Sequence, residues 1–112
     1  MYMIMLVLDD PEQLDAVIGA WEIVGIRGVT LLESTGLGRL RQSRVPARYY
    51  FQSSQVEEEG HITLLAVVPD EEKVKACLSA TEEITGDLNE PHTGIFTAWP
   101  LFMVKGAESK AD

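Results

Sequence analysis

The sequence is poor in cysteine, basic side chains and histidine, and each shortage excludes a class of structure or function. Among 112 residues there is one cysteine, so no intramolecular disulfide forms, which predicts an intracellular, cytoplasmic location. Nine basic residues stand against 18 acidic ones, and the net charge of −9 argues against nucleic acid and anionic membranes as partners. The two histidines and the cysteine lie at unrelated positions, which give no metal-ligand spacing.

Long apolar runs are also lacking, and the short ones that are present predict buried strands. Residues 3–8 read MIMLVL and residues 62–68 read ITLLAVV. The amino-terminal run is far too short to span a bilayer, so we expect no membrane insertion. The chain has the length of one domain, which we place at residues 1–106, with a flexible tail at 107–112.

The two halves of the chain repeat the same pattern sixty residues apart. One helical face is predicted by the apolar spacing of Leu14, Val17, Ile18, Trp21 and Val24. Adding sixty to each number gives the second face, Val74, Cys77, Leu78, Thr81 and Ile84. Further strands are expected at residues 26–33 and 94–104. The repeat predicts an α+β, ferredoxin-like βαβ-βαβ fold, a four-stranded antiparallel sheet with both helices on one face.

Helix boundaries and core side chains follow from the same pattern. Asp10 is expected to cap the first helix, and Gly25 and Gly86 to end the two helices. Trp21 and Cys77 are interpreted as core residues. Because neither strand run alternates apolar and polar residues, both sheet faces require burial, and this predicts an oligomer, with dimer and trimer both open.

The segment TGLGRLR, residues 35–41, has two interpretations. Gly36 and Gly38 would let backbone N–H groups approach a phosphate that Arg39 or Arg41 neutralises. The alternative is a hinge at the base of a mobile loop spanning residues 34–60.

The segment NEPHTGIF, residues 89–96, also has two interpretations. His92 and Thr93 would contact a ligand, or the segment is a polar surface turn shaped by Pro91. His61 is expected to be an edge residue at a strand start. Nothing in the sequence pairs either histidine with an orienting acid.

The order of these segments resembles the PII nitrogen-regulatory family. The resemblance is carried by LDAVIGAWEIVGIRGVTLLES followed by TGLGR, by ITLLAVVPDEEKVKACLSATEEITGD, and by IFTAWP. The matching positions are Thr30, Gly36, Gly38, Arg39, Thr85 and Gly86. The chain departs from the family pattern at Leu40, where the family has a glutamine that helps hold metal and a 2-oxo acid. It also lacks the family's phosphate-loop lysine and carboxy-terminal Arg-x-Arg, near which only Lys105 lies.

The resemblance implies a homotrimer that regulates an unknown protein target through its 40–60 loop. A small anionic effector, with ATP, ADP or AMP as the candidates, would bind in clefts between subunits. The expected ligand-binding residues are Thr30, Gly36, Gly38, Arg39, Thr85, Gly86, His92, Thr93, Gly94 and Lys105. No catalytic or metal-binding residue is expected. Two other functions stay open: an interaction module without nucleotide binding, and a small ferredoxin-like-fold enzyme with His61 or His92 as its base.

Overall fold

Two helices and a four-stranded antiparallel sheet make up the computed structural model, which describes residues 1–34 and 61–106. In chain order the elements are β1 (Tyr2–Leu8), a 3-10 turn (Pro11–Gln13), α1 (Leu14–Ile23), β2 (Thr30–Ser34), β3 (His61–Val68), α2 (Glu71–Thr85) and β4 (Gly94–Pro100). The strand order β2-β3-β1-β4 confirms the predicted ferredoxin-like arrangement. Within the described ranges, no helix has the length and apolar character needed to cross a membrane.

An aspartate caps the start of each helical segment. Asp10, as predicted, caps the 3-10 turn that leads into α1, and its Oδ1 accepts a hydrogen bond from Glu12 N at 3.0 Å. Asp70 Oδ1 accepts one from Lys73 N at 2.8 Å at the start of α2. Each carboxylate satisfies a backbone donor that lacks a partner within the helix, which is worth about 1 kcal/mol.

The expected strand over residues 26–33 is wrong in its first four residues, because Ile26 completes the end of α1. Gly25 N donates to Glu22 O at 3.0 Å and Ile26 N donates to Trp21 O at 2.9 Å. These two bonds form a Schellman motif, with Gly25 at φ 87° in the left-handed region. The side chain of Ile26 belongs to the same buried core cluster as Trp21, and β2 starts only at Thr30.

The last strand is shorter than the expected 94–104. Regular pairing with β1 ends at Pro100, which lies opposite Tyr2. Leu101 N adds one bond to Met1 O at 2.9 Å, and residues 101–106 continue without regular structure. Proline ends the ladder since it has no N–H to donate.

An internal two-fold relation between the halves is visible in the contacts between the helices. Trp21 Nε1 donates to Thr81 Oγ1 at 2.8 Å, so the two residues that the shift of sixty equates meet each other. Both side chains are fully buried, and Thr81 Oγ1 donates onward to Cys77 O at 2.7 Å. The predictions that Trp21 and Cys77 are core residues are confirmed.

The same relation links two contacts at the helix ends. Gln13 Nε2 donates to Ile84 O at 3.3 Å, near the carboxyl end of α2. Lys73 Nζ, sixty positions after Gln13, donates to Val24 O at 2.7 Å, just beyond the end of α1. Each helix start therefore satisfies a carbonyl at the other helix's end, and the lysine also opposes the negative end of the α1 dipole.

The sheet has one face toward the helices and a second face that is also apolar. On the helix side, Ile4, Leu6 and Leu8 of β1 are fully buried. The pairing register places the following residues on the second face: Met3, Met5, Val7, Thr30, Leu32, Ser34, His61, Thr63, Leu65, Val67, Ile95, Thr97 and Trp99. Leu32, Ile95 and Trp99 are 51%, 59% and 41% exposed. The apolar second face that the strand runs predicted is thus confirmed.

Candidate functional site

Five of the expected ligand-binding residues lie at one end of the sheet, which we call the lower end. It is the end where β1 and β2 finish and β3 and β4 begin. Since α2 starts beyond the other end of β3, its carboxyl end at Thr85 and Gly86 returns to the lower end. His92, Thr93 and Gly94 lead into β4 there. The fold therefore gathers these five residues at the same end of the sheet.

Thr30 and Lys105 are not part of this group. Thr30 lies on β2 opposite Leu65, at mid-height of the sheet, and two strands separate β2 from β4. Strands are spaced about 4.8 Å apart, so Thr30 is about three spacings from the β4 edge. Lys105 follows the opposite end of β4 from Gly94. One subunit alone does not bring all of these residues to one site.

The remaining expected ligand-binding residues are Gly36, Gly38 and Arg39. They lie outside the described residues, as do the expected 40–60 loop and the expected tail at 107–112.

The loop between α2 and β4 is held by its own hydrogen bonds. Glu82 Oε2 accepts from Leu88 N at 2.9 Å, and Asp87 Oδ1 accepts from Asn89 N at 2.9 Å. Thr93 Oγ1 donates to Glu90 O at 2.8 Å. Thr85 Oγ1 donates to Gly86 O at 2.8 Å. Each of the two threonine hydroxyls thus donates its proton to a backbone carbonyl. Toward a ligand, the hydroxyl oxygen is therefore available as an acceptor.

A pocket of about 200 Å³ opens at the lower end, and we call it the histidine pocket. It is lined by Val7, Asp9, His61, His92, Gly94 and Ile95. His61 Nε2 lies 3.3 Å from Asp9 Oδ1, and their side chains are 16% and 26% exposed. The structure therefore supplies the orienting acid that the sequence did not reveal. His61 does start a strand, but β3 is an interior strand, so the expectation of an edge residue is wrong.

Two residues that line this pocket, His92 and Gly94, have unusual backbone conformations. Gly94 has φ 135°, and a Cβ at this position would overlap the carbonyl oxygen of Val7. Only glycine lets β4 start this close to β1. His92 has φ 64°, which is uncommon for a residue with a side chain, and such backbone strain often accompanies functional positions.

A second pocket, of about 790 Å³, lies between α2 and the start of β4. Its lining includes the carboxylates of Glu82 and Asp87, together with the apolar side chains of Leu78, Leu88 and Phe96. Two carboxylates disfavour a phosphate group in this space, because like charges repel. The described lining of the histidine pocket also contains one carboxylate, that of Asp9.

Metal and thiol chemistry find no support in the described ranges. Across residues 1–34 and 61–106, no group of three His, Cys, Asp or Glu side chains is arranged to hold a metal ion. Cys77 is fully buried, and burial raises the pKa of its thiol to about 12. A thiol that stays protonated is a poor nucleophile, which agrees with the packing role predicted for Cys77.

Comparison with known proteins adds no further constraint. Neither the protein-family models nor the curated proteins that were searched gave a match to this chain.

Proposed function

We propose that this chain is a PII-like regulatory protein, a homotrimer that binds a small anionic effector between subunits and acts on a protein target. The observation that carries the proposal is the apolar second face of the sheet. Leu32, Ile95 and Trp99 expose 51%, 59% and 41% of their surface on a face that also holds both methionines of β1. Exposed apolar patches of this kind mark protein interfaces.

The separation of the candidate residues supports binding between subunits. Thr30 and Gly94 lie on opposite edge strands, and Lys105 lies beyond the other end of β4. In a cleft between two copies, an edge of one sheet lies against the neighbouring copy. Residues that are far apart within one subunit can then come from two subunits and contact the same ligand. The candidate effector is an adenine nucleotide, whose phosphates Arg39 or Arg41 would neutralise; of these two, Arg39 matches the family pattern.

One contact favours a second candidate function, a small enzyme. Asp9 lies within 3.3 Å of His61, and an acid that orients a histidine is part of many general-base sites. This function predicts a substrate small enough for the histidine pocket of about 200 Å³, rather than a nucleotide.

The first experiment measures the oligomeric state with a matched pair of variants. Leu31 and Leu32 are neighbours on β2 with similar exposure, 45% and 51%, but lie on opposite sheet faces. Leu32→Asp places a charge on the second face and is expected to dissociate the trimer in analytical ultracentrifugation. Leu31→Asp is the control and is expected to remain trimeric. A monomeric wild-type protein, or dissociation by both variants, would contradict the proposal.

The second experiment tests the effector by thermal unfolding of the wild-type protein with ATP, ADP or AMP. A ligand present at about 100 times its dissociation constant stabilises by about 2.7 kcal/mol, which raises Tm by several degrees. Arg39→Ala is expected to remove this shift, because a charge-assisted hydrogen bond is lost. A trimer whose Tm responds to none of the nucleotides would instead favour an interaction module.

A further inference from the structure

A groove lies beside β4 on the helix side of the sheet, and we call it the α2–β4 groove. It is the pocket of about 790 Å³ between α2 and the start of β4, which is an edge strand of the described sheet. The apolar side chains in its lining, Leu78, Leu88 and Phe96, are half-buried. Ala98 lies on the same face of β4, two residues beyond Phe96, and is exposed. Helix α2 therefore covers β4 only in part.

The outer edge of β4 presents backbone hydrogen-bonding groups beside this groove. The carbonyl oxygen of Met5 points toward β4, where it accepts from Thr97 Oγ1 at 3.3 Å, and that of Val7 lies against the start of β4. In an antiparallel ladder, alternate residues of a strand direct both of their backbone groups toward the same neighbour. The backbone groups of Thr97 therefore face β1, and those of Phe96 and Ala98 face the outer edge. Such groups on an edge strand are a template for a further strand.

The internal two-fold relation places an equivalent groove beside β2, the other edge strand of the described sheet. It has a volume of about 510 Å³, and Glu22 in its lining lies sixty positions before Glu82 of the α2–β4 groove. The two grooves differ at the next equivalent pair, which is Arg27 beside β2 and Asp87 beside β4. The described lining thus combines an acid with a base in the first groove and two acids in the second. This difference favours basic side chains as ligands of the α2–β4 groove.

Both carboxylates of the α2–β4 groove are positioned by backbone hydrogen bonds. Glu82 Oε2 accepts from Leu88 N, and Asp87 Oδ1 accepts from Asn89 N, each at 2.9 Å. A carboxylate offers about four acceptor sites, so each retains capacity for a cationic side chain. A side chain that is already held in place loses less conformational entropy when a ligand binds.

We propose that the α2–β4 groove binds an extended peptide segment of the protein target, which adds a strand antiparallel to β4. An apolar side chain of this segment enters the groove beside Phe96, and basic side chains two residues before and after it reach Glu82 and Asp87. Strand addition of this kind takes affinity from main-chain hydrogen bonds and specificity from alternate side chains. The inference rests on the proposed function, because it names the chemistry of the protein target.

The groove and the second face of the sheet lie on opposite sides of β4. The register places Phe96 and Ala98 on the helix side, and Ile95, Thr97 and Trp99 on the second face. Packing of the second face between copies therefore leaves the helix-side groove accessible to a target.

The probe is a fluorescent-labelled peptide with the sequence Thr-Lys-Val-Leu-Val-Lys-Thr. Its leucine and both lysines share one face of an extended strand, and the sequence reads the same in both directions. We expect saturable binding with a dissociation constant below about 1 mM in fluorescence anisotropy. A probe with both lysines replaced by glutamate, and a probe N-methylated at the leucine, should each bind at least about fivefold more weakly. Absence of saturable binding, or equal binding of all three peptides, overturns the proposal.

Hydrogen exchange measured by NMR locates the bound peptide. The amides of Phe96 and Ala98 should exchange more slowly with the probe present, because their N–H groups gain acceptors at the outer edge. The amide of Thr97, which faces β1, is the internal comparison and should change much less. Equal slowing of all three amides would show general stabilisation rather than strand addition, and overturns the proposal.

Three variants that each remove one negative charge test the role of the groove carboxylates. Glu82→Gln and Asp87→Asn are expected to weaken binding of the probe about threefold to fivefold. Glu83→Gln is the matched control, since Glu83 is exposed on α2 and is not part of the described lining. Its affinity should equal that of the wild type. Equal losses in all three variants, each folded by circular dichroism, would indicate attraction to an acidic protein and overturn the proposal.

A substitution on β4 tests the outer edge itself. Ala98→Pro removes one outward N–H group, whereas Ala98→Val keeps it, and only the proline variant should bind the probe at least about fivefold more weakly. The N-methylated probe tests the same main-chain bonding without altering the protein. If a second copy of the chain occupies this edge instead, Ala98→Pro dissociates the oligomer and the wild type does not bind the probe. That result overturns the inference.

Two outcomes keep this inference apart from the proposed function. A trimer whose Tm responds to an adenine nucleotide, but which does not bind the probe, would overturn the inference alone. A monomeric wild-type protein that binds the probe, with slowed exchange at Phe96 and Ala98, would overturn the trimer and leave strand addition standing.

Discussion

The two halves of the chain share their helix starts and differ in the connections after their helices. Asp10 and Asp70 are equivalent residues that cap the 3-10 turn before α1 and the start of α2, and Gln13 and Lys73 make equivalent contacts with the other helix. After α1, the Schellman motif and a short connection lead directly into β2. After α2, the longer segment between Gly86 and Gly94 carries three internal hydrogen bonds and His92.

This difference shows where the two halves are constrained. Positions that build the shared core stay equivalent, because each helix must cover the same sheet. The connections contribute fewer side chains to that core, such as Ile26 after α1 and Leu88 after α2, so their lengths and turns can differ. The connection that departs from the internal symmetry supplies His92 to the histidine pocket, whereas Asp9 and His61 come from the end of β1 and the start of β3.

The largest effect on stability is expected at Trp21 and Thr81, which are equivalent positions of the two halves but carry different side chains. Trp21→Ala removes the largest buried side chain and should lower the free energy of unfolding by about 3–5 kcal/mol. Thr81→Val keeps the volume but leaves Trp21 Nε1 without its acceptor, at a cost of about 1–3 kcal/mol. Urea unfolding followed by circular dichroism, at one protein concentration, measures both.

A double variant sharpens this comparison. Trp21→Phe combined with Thr81→Val removes donor and acceptor together, so no polar group is left unsatisfied. The free energy of unfolding that the double variant loses should be smaller than the sum of the losses in Trp21→Phe alone and Thr81→Val alone. Additive losses would show that the hydrogen bond between the halves contributes nothing of its own.

An intermediate effect is expected at the glycines of the divergent connection. Gly94→Ala puts a side chain on a backbone with positive φ and makes its Cβ overlap with Val7 O. The change should lower the free energy of unfolding by about 2 kcal/mol or more. Gly86→Ala, at φ 81° but in open space, should cost about 1 kcal/mol. Gly19→Ala in α1 is the control and should stabilise by about 0.5–1 kcal/mol. Equal losses at positions 86 and 94 in urea unfolding would contradict the close approach of β4 to β1.

The smallest effect is expected when Cys77 is replaced by valine, the residue at the equivalent position 17 of the first half. Cys77→Val should change stability at pH 7 by less than about 1 kcal/mol, because volume and burial are nearly conserved. The pH dependence is more informative. The thiol ionises near 9.0 when exposed, whereas burial holds its pKa at about 12 in the folded chain, so the unfolded state loses its proton first.

Stability of the wild type relative to Cys77→Val should therefore be unaffected below pH 9 and fall between pH 9 and 12. The decline is about 1.4 kcal/mol per pH unit. Urea unfolding of both proteins at pH 8 and pH 10 measures it. Parallel stabilities at the two pH values would show that the thiol is solvated in the folded chain.

The periodicity of apolar residues was sufficient to predict the helices but not to predict where the connections end and the strands begin. The spacing of Leu14, Trp21 and their equivalents determined which helix faces meet the sheet, since helical geometry is local. The start of β2 was placed too early because Ile26 is apolar for a different reason, as the hydrophobic partner of Trp21 in a helix end. Composition does not distinguish these two uses of an isoleucine.

The candidate site was predicted only in part, for a related reason. His92 and Gly94 could be assigned to a loop from turn residues and from the resemblance. The contact between Asp9 and His61 depends on the register between β1 and β3, which are far apart in the chain. Pairing register is a tertiary property, so no local pattern indicates that these two side chains meet.

The strand order has a consequence for how the chain folds. Within each half the two strands are not neighbours: β3 separates β1 from β2, and β1 separates β3 from β4. Neither half excised from the chain retains a single strand pair of the native sheet, although each carries a complete strand–helix–strand pattern. The first strand acquires its partners only when the third and fourth are present, so these long-range pairings make the repeat one cooperative folding unit rather than two.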